Sequence, residues 1–231
     1  DLVSSRGLGD VYKRQASMHS YYKEDGDHII INGSKMWIGN SENADIAIVW
    51  IKDESLNVRG VIIDKNKITN FDTNSFKDKW SFRASKTGEL IFSDSSTLKS
   101  QILPKTTSIK NAYQCLNIGR YAVACGSIGV ALDCFEIALK YSKERIQFKA
   151  PIASKQLIQK KLANMSSKIT KSQLLCYHLG MHLDSGTCKH EQISLAKKNN
   201  VKMAQYVARE TREILGGMGI SSEYPIMRHL I

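Results

Sequence analysis

At 231 residues, 42% hydrophobic and 24% charged, the chain has the composition of a soluble globular protein, long enough for one large domain or two small ones. No apolar run approaches a membrane span and no apolar leader opens the chain; five cysteines without a Cys-x-x-Cys pair argue for a reducing, intracellular compartment. The net charge of +11 is uneven: residues 111–231 hold 17 Lys+Arg against 8 Asp+Glu, residues 1–110 only 16 against 14, so an anionic partner is expected for the second half.

In chain order, residues 1–15 come first and stand apart. The run from Ser5 to Gln15 has no periodicity and resembles an in-frame translation of a transposase adapter used in sequencing libraries, so it is set aside as non-native. Residues 16–107 read as β. Tyr21-Tyr22 and Ile29–Ile31 flank Asp25-Gly26, the pattern of a hairpin with a tight turn. Further strands are expected at Ile46–Ile51, Val61–Ile63 and Leu90–Phe92, separated by Gly, Asn and Asp. Short strands at this spacing predict a barrel or sandwich. Trp37, read as following a β-turn, is expected to pack in the core or at its rim.

Residues 108–231 change to a helical period. Val123, Val130 and Ile137 recur every seven residues, with Leu132, Phe135 and Leu139 on the same broad face and Ala122, Ala124, Gly126 and Ala131 small enough for close approach. A second helix carries Ile158, Leu162, Met165 and Ile169, and a third Ile193, Ala196, Asn200, Met203 and Val207. Three amphipathic helices with short connections predict an antiparallel bundle. The fold class is therefore α+β: a β-barrel-like domain followed by a helical bundle.

Pro151 disfavours helical angles at Ala150, so the first helix ends before it, and Ser154 is a plausible cap for the next. The connection carries Arg145, Gln147 and Phe148 on one side and Gln156 on the other. A guanidinium, an aromatic face and amides suit a ligand bearing phosphate and rings, although an ordinary helical hairpin with a solvated arginine fits the same spacing. Glu213–Gly217 ends the third helix, where glycine caps and also allows close backbone approach. The stretch Tyr113–Arg120 precedes the first helix, with Asn117 as its cap. Lys160-Lys161 and Lys197-Lys198 read as solvated faces. His178 and His182 lack a third metal ligand, and Cys176 reads as core; no helix-turn-helix, zinc or aromatic-basic signature supports nucleic-acid binding.

Several longer motifs converge. They are Tyr141-x-x-x-Arg145-x-x-Phe148-x-x-Pro151-Ile152-x-x-x-Gln156-x-Ile158, Gly119–Gly126, Ile214–Pro225 and Asn32–Asn40. Together they resemble the acyl-CoA dehydrogenases, an FAD-dependent family; Ser81–Ser85, Ile220–Tyr224 and Arg228-His229 are most similar to its glutaryl-CoA dehydrogenase branch. The resemblance implies a chain lacking the family's N-terminal domain and C-terminal end. It implies FAD contacts from Trp37, Ile38 and Gly39, from Arg145, Gln147, Phe148 and Gln156, and from Glu213, Ile214, Leu215, Gly216 and Gly217 of a neighbouring subunit. Gly39 stands where family members offer the flavin a threonine hydroxyl. Tyr113, Leu116, Asn117 and Arg120 would line acyl-CoA. The implied reaction is α,β-dehydrogenation of glutaryl-CoA with decarboxylation to crotonyl-CoA. Alternatives are a short- or medium-chain enzyme without decarboxylation, or a non-catalytic acyl-CoA- or flavin-binding module. The general-base glutamate is expected beyond Ile231, so no catalytic residue and no metal ligand is assigned and the chain by itself is expected to be inactive. Electron-transfer flavoprotein as acceptor, a homotetramer without nucleic acid or membrane span, and a cytoplasmic or mitochondrial-matrix location complete the expectation.

Overall fold

The computed structural model describes residues 18–231, so the adapter reading of residues 1–15 lies outside the described residues. The chain divides into two compact units, Asp1–Leu116 and Asn117–Ile231.

The first unit is built on one six-stranded sheet. Its strands are β1 (Tyr21–Asp25), β2 (His28–Gly39), β3 (Ile46–Lys52), β4 (Val58–Asp64), β5 (Phe71–Ser75) and β6 (Thr87–Leu98), in the order β4-β3-β1-β2-β6-β5. The β1–β3 pair is parallel and the other pairs are antiparallel. Asp25 pairs with His28, so the two-residue loop is Gly26–Asp27, with Gly26 at φ 56, a backbone state that glycine adopts without strain. Alternation places Tyr22, Ile29, Ile31, Val49, Ile51, Val61, Ile63, Leu90 and Phe92 in a single buried cluster. Inward side chains from five strands share this core, as in a curled, barrel-like sheet.

The β2–β6 ladder slips between Ile31 and Gly33 and again between Met36 and Ile38. Gly33, at φ 121, crosses so close to β1 that a Cβ would stand 2.7 Å from Ser20 Cα. The second slip turns Trp37 outward at φ 64. Trp37 thus lies within β2, not after a turn.

The helical region opens with α1 (Ile109–Glu144). Its first turns belong to the first unit, where Ala112 and Leu116 are buried with Met18, Trp50 and Val58. Tyr113–Arg120 therefore lies inside α1 and does not precede it; Asn117, instead of capping, accepts a hydrogen bond from Arg120 Nη1 at 3.1 Å. By length and composition α1 could cross a membrane, which corrects the expectation that no apolar run reaches that length. In the structure its Ala124, Ile128, Ala131, Cys134 and Ala138 are bundle core.

The small residues Ala124, Ala131, Cys134 and Ala138 form the seam, and Val123, Val130 and Ile137 flank it half-buried, because close helix approach favours the narrowest side of α1. Of the predicted small residues, Ala122 and Gly126 face outward.

After α1 come β7 (Ile146–Gln147) and β8 (Ala150–Pro151), then α2 (Gln156–Asp184), α3 (His190–Leu215) and α4 (Ile226–Leu230). Ile193, Ala196, Asn200, Met203 and Val207 of α3 are all buried, as their spacing predicts. Ser154 does not cap α2: a short 3-10 turn over Ile152–Ser154 intervenes, and the Ser154 hydroxyl donates to Pro151 O at 2.7 Å. Lys155 is the N-cap and contributes no side-chain cap bond.

Candidate cofactor site

The second unit holds a hydrogen-bonded hairpin at the α1–α2 connection. Arg145 N–H donates to Tyr141 O at 2.9 Å, continuing the last turn of α1, and Ile152 N–H donates to Arg145 O at 2.9 Å, closing the loop. Ile146 pairs with Pro151 and Gln147 with Ala150, which leaves Phe148 and Lys149 at the tip. Both tip residues are left-handed, at φ 53 and φ 62. For residues with a Cβ that conformation costs about 1–2 kcal/mol each. Phe148 is also 88% exposed, with Lys155 Nζ 5.8 Å from its ring centroid. Strain and exposure of a large apolar ring both oppose this arrangement in isolation, the pattern of a surface awaiting a ligand.

The donor set suits an anion. Arg145 and Gln147 are exposed, and the Arg145 guanidinium makes no ion pair among the described residues. Gln156 is the exposed first residue of α2, whose N-terminal N–H groups lack a side-chain cap. An uncapped helix start and an exposed guanidinium each attract phosphate oxygens.

At the far end of α3, Gly216 (φ 59, ψ −129) stops the helix. A Cβ on Gly216 or Gly217 would meet nothing within 4 Å, so this backbone is open to close approach. Ile214 and Leu215 are 6% and 2% exposed, and their side chains belong to the core; only their backbone is left for a ligand. Glu213 is tied back to α2: Lys161 Nζ bonds Glu213 Oε2 at 2.5 Å and Glu210 Oε2 at 2.6 Å. Lys161 is therefore no solvated lysine, and its hydrogen bond, then its charge, pulls the Glu213 carboxyl below its ordinary range.

Arg120, on α1, shares its surroundings with Lys197 of α3. Burial, then the Arg120 charge, push the Lys197 ammonium down, so two cations crowd one place. Lys197, read in sequence as solvated, is half-buried because its stem lies against the bundle.

In the first unit, Trp37 is 48% exposed and its ring lies 4.8 Å from that of Phe76, while Ile38 is core and Gly39 pairs with Thr87. Ile38 thus has only backbone to offer a ligand. Leu116 is likewise core, with Tyr113 half-buried against the same cluster. Elsewhere in this unit a cleft of about 380 Å³ lined by Glu24, Asp53, Glu54, Arg59 and Lys99 mixes both signs of charge, and none of the predicted site residues lines it.

Two family descriptions match: acyl-CoA dehydrogenase, middle domain, over residues 12–95, and acyl-CoA dehydrogenase, C-terminal domain, over residues 109–231. The chain belongs to the acyl-CoA dehydrogenase family. Among its relatives, glutaryl-CoA dehydrogenase of Desulfococcus multivorans is 32% identical over 92% of this chain and 56% of its own length. The mitochondrial short-chain specific acyl-CoA dehydrogenase of Homo sapiens is 31% identical over 90% and 51%. The structure of a glutaryl-CoA dehydrogenase from Mycobacterium smegmatis in complex with FADH2 aligns with a TM-score of 0.93 at 38% identity, covering 97% of this chain and 58% of that one. The chain thus spans about half the length of the curated relatives it matches. An acyl-CoA dehydrogenase fold accounts for the curled sheet followed by long helices, and the FADH2-bound relative makes a flavin the natural ligand to test against the donor set above.

Proposed function

We propose that this chain carries the flavin- and thioester-binding parts of an FAD-dependent dehydrogenase that oxidises glutaryl-CoA and decarboxylates it to crotonyl-CoA. The observation that carries the reading is Arg145, whose backbone is held at the base of the β7–β8 hairpin that leads to the uncapped start of α2 and whose exposed guanidinium makes no ion pair among the described residues. In this reading Arg145, Gln147 and Gln156 hold the pyrophosphate and adenosine part of FAD, and Phe148 packs against the cofactor. The Glu213–Gly217 turn meets the same dinucleotide from a neighbouring subunit. The Trp37 ring and the Gly39 N–H serve the flavin end, the amide replacing a hydroxyl. When bound, FAD supplies the hydride acceptor. Tyr113, Leu116, Asn117 and Arg120 line the acyl-CoA, and the cationic pair Arg120–Lys197 draws its phosphates.

The wider reading follows the family. Electron-transfer flavoprotein accepts the electrons, the oligomer is a homotetramer, and the location is the cytoplasm or the mitochondrial matrix. Residues 16–107 and 108–231 serve as middle and bundle domains, with residues 1–15 non-native. Oxidation of a short-chain acyl-CoA without decarboxylation is the second reading, supported by the 31% identity to the human short-chain enzyme.

The test uses protein expressed from the complete reading frame. Arg145→Ala is expected to weaken FAD binding by about 1.5–3 kcal/mol, the range for a hydrogen bond to a charged group, while Lys171→Ala on an exposed face leaves it unchanged. Flavin absorbance after gel filtration reads the outcome, and equal retention in both variants and wild type rejects the Arg145 role. Carbon dioxide released from glutaryl-CoA separates the two substrate readings.

A further inference from the structure

Resting on the FAD reading of the Glu213–Gly217 turn, we infer that Lys161 is a positioning residue for that turn, cancelling acidic charge at the end of α3 so that an anionic cofactor can approach. The C-terminal end of a helix is already negative, because its last carbonyls point outward unpaired. Glu210 and Glu213 add two carboxylates to the last turns of α3, immediately before the open glycines. Arg212, in the same last turn, offsets one of them, and the other is left uncompensated against an approaching pyrophosphate. Lys161 reaches across from α2 and bonds both carboxylates, at 2.6 Å and 2.5 Å. With Lys161 in place, Glu210, Glu213, Arg212 and Lys161 sum to zero; without it they sum to one negative charge. The Lys161 side chain is 30% exposed and Glu210 18%, so solvent screens the group only in part, while Glu213 at 53% faces outward. The same bonds hold Glu213 toward α2, which keeps its carboxylate from swinging over Gly216 and Gly217. Lys161 acts only through these partners and touches no reacting atom.

The experiment measures FAD affinity by flavin fluorescence titration of the apoprotein, alongside thermal melting of each variant. Lys161→Ala is expected to weaken FAD binding about 3- to 10-fold, the order of effect of one added charge that solvent screens in part. Adding Glu213→Gln to Lys161→Ala restores the neutral balance and is expected to recover most of the lost affinity. Lys161→Arg, which keeps both ion pairs, is expected to bind FAD as wild type does. A simple strut between α2 and α3 would lower the melting temperature in Lys161→Ala and in the double variant alike, with no recovery of affinity. That result, or unchanged affinity in Lys161→Ala, overturns the inference. A wild-type protein that binds no FAD overturns the reading beneath it as well, and Arg145→Ala distinguishes the cases, since its effect does not pass through Lys161.

Discussion

Asn200 joins three helices through one amide. Its Nδ2 donates to Ala124 O of α1 and to Cys176 Sγ of α2, both at 3.1 Å, while its Oδ1 accepts from Asn199 Nδ2 at 3.0 Å. It is fully buried, and such a group is tolerated only when its bonds are made. Asn200→Ala is expected to cost about 1–3 kcal/mol in urea unfolding, and a variant as stable as wild type would show the bonds to be energetically idle. The Lys161 cluster makes a second residue-scale prediction, in pH. Hydrogen bonding from Lys161 lowers the Glu213 carboxyl from its ordinary 4.5, so its contribution is complete above that value and disappears as pH falls through the lowered folded value. For Lys161, burial alone would lower the ammonium, but the bonds to Glu210 and Glu213 raise it above 10.5; its contribution is present below 10.5 and is lost as pH rises through the raised value. The gap in melting temperature between wild type and Lys161→Ala should therefore be widest near neutrality and close as pH falls below 4.5. A constant gap would refute the ion-pair account. The spacing of α3 marked Asn200 as inward-facing, but its partners are 76 and 24 residues away and no local pattern carries them.

Among elements, β5 shows where pattern reading fails. Its sequence Phe71-Asp-Thr-Asn-Ser75 is mostly polar because it is an edge strand paired on one side only, and Phe71 alone packs on the sheet core. What holds it is close contact: a Cβ on Gly88 of β6 would stand 1.7 Å from Asn74 O. Gly88→Ala must therefore push β5 off the sheet. A loss of about 1–3 kcal/mol in denaturant unfolding, with new proteolysis between β5 and β6, is expected; wild-type stability would mean that the edge is looser than drawn. On α1 the valine heptad read from sequence gave way to Ala124, Ala131, Cys134 and Ala138, since a hydrophobicity period marks a broad face but not the line of nearest approach. The exposed α2 and α3 positions Leu157, Leu174, Tyr177, Met181 and Leu195 remain without cover in a single chain.

For the whole molecule, those side chains are 53–77% exposed, more apolar surface than isolated leucines account for, and the expected tetramer would bury part of it. Light scattering on the protein from the complete reading frame should report a tetramer, and monomer at working concentration would count against the split-site reading of FAD. The sequence by itself determined the α+β class, the β-before-helix order, most of the strands, the inward face of α3 and membership of a flavoenzyme family. These follow from local terms: period, turn chemistry, proline and glycine placement, and contiguous motifs that can be read without knowing what lies across the core. Only the tertiary structure decided that Tyr113–Arg120 is mid-helix, that Ile38, Leu116, Ile214 and Leu215 spend their side chains on packing, and that Lys161 belongs to Glu210 and Glu213. Each of those depends on which residues, tens of positions apart, reach the same few ångströms. That is a property of the folded chain, because burial and charge pairing are settled by distance in space and not by distance along the backbone.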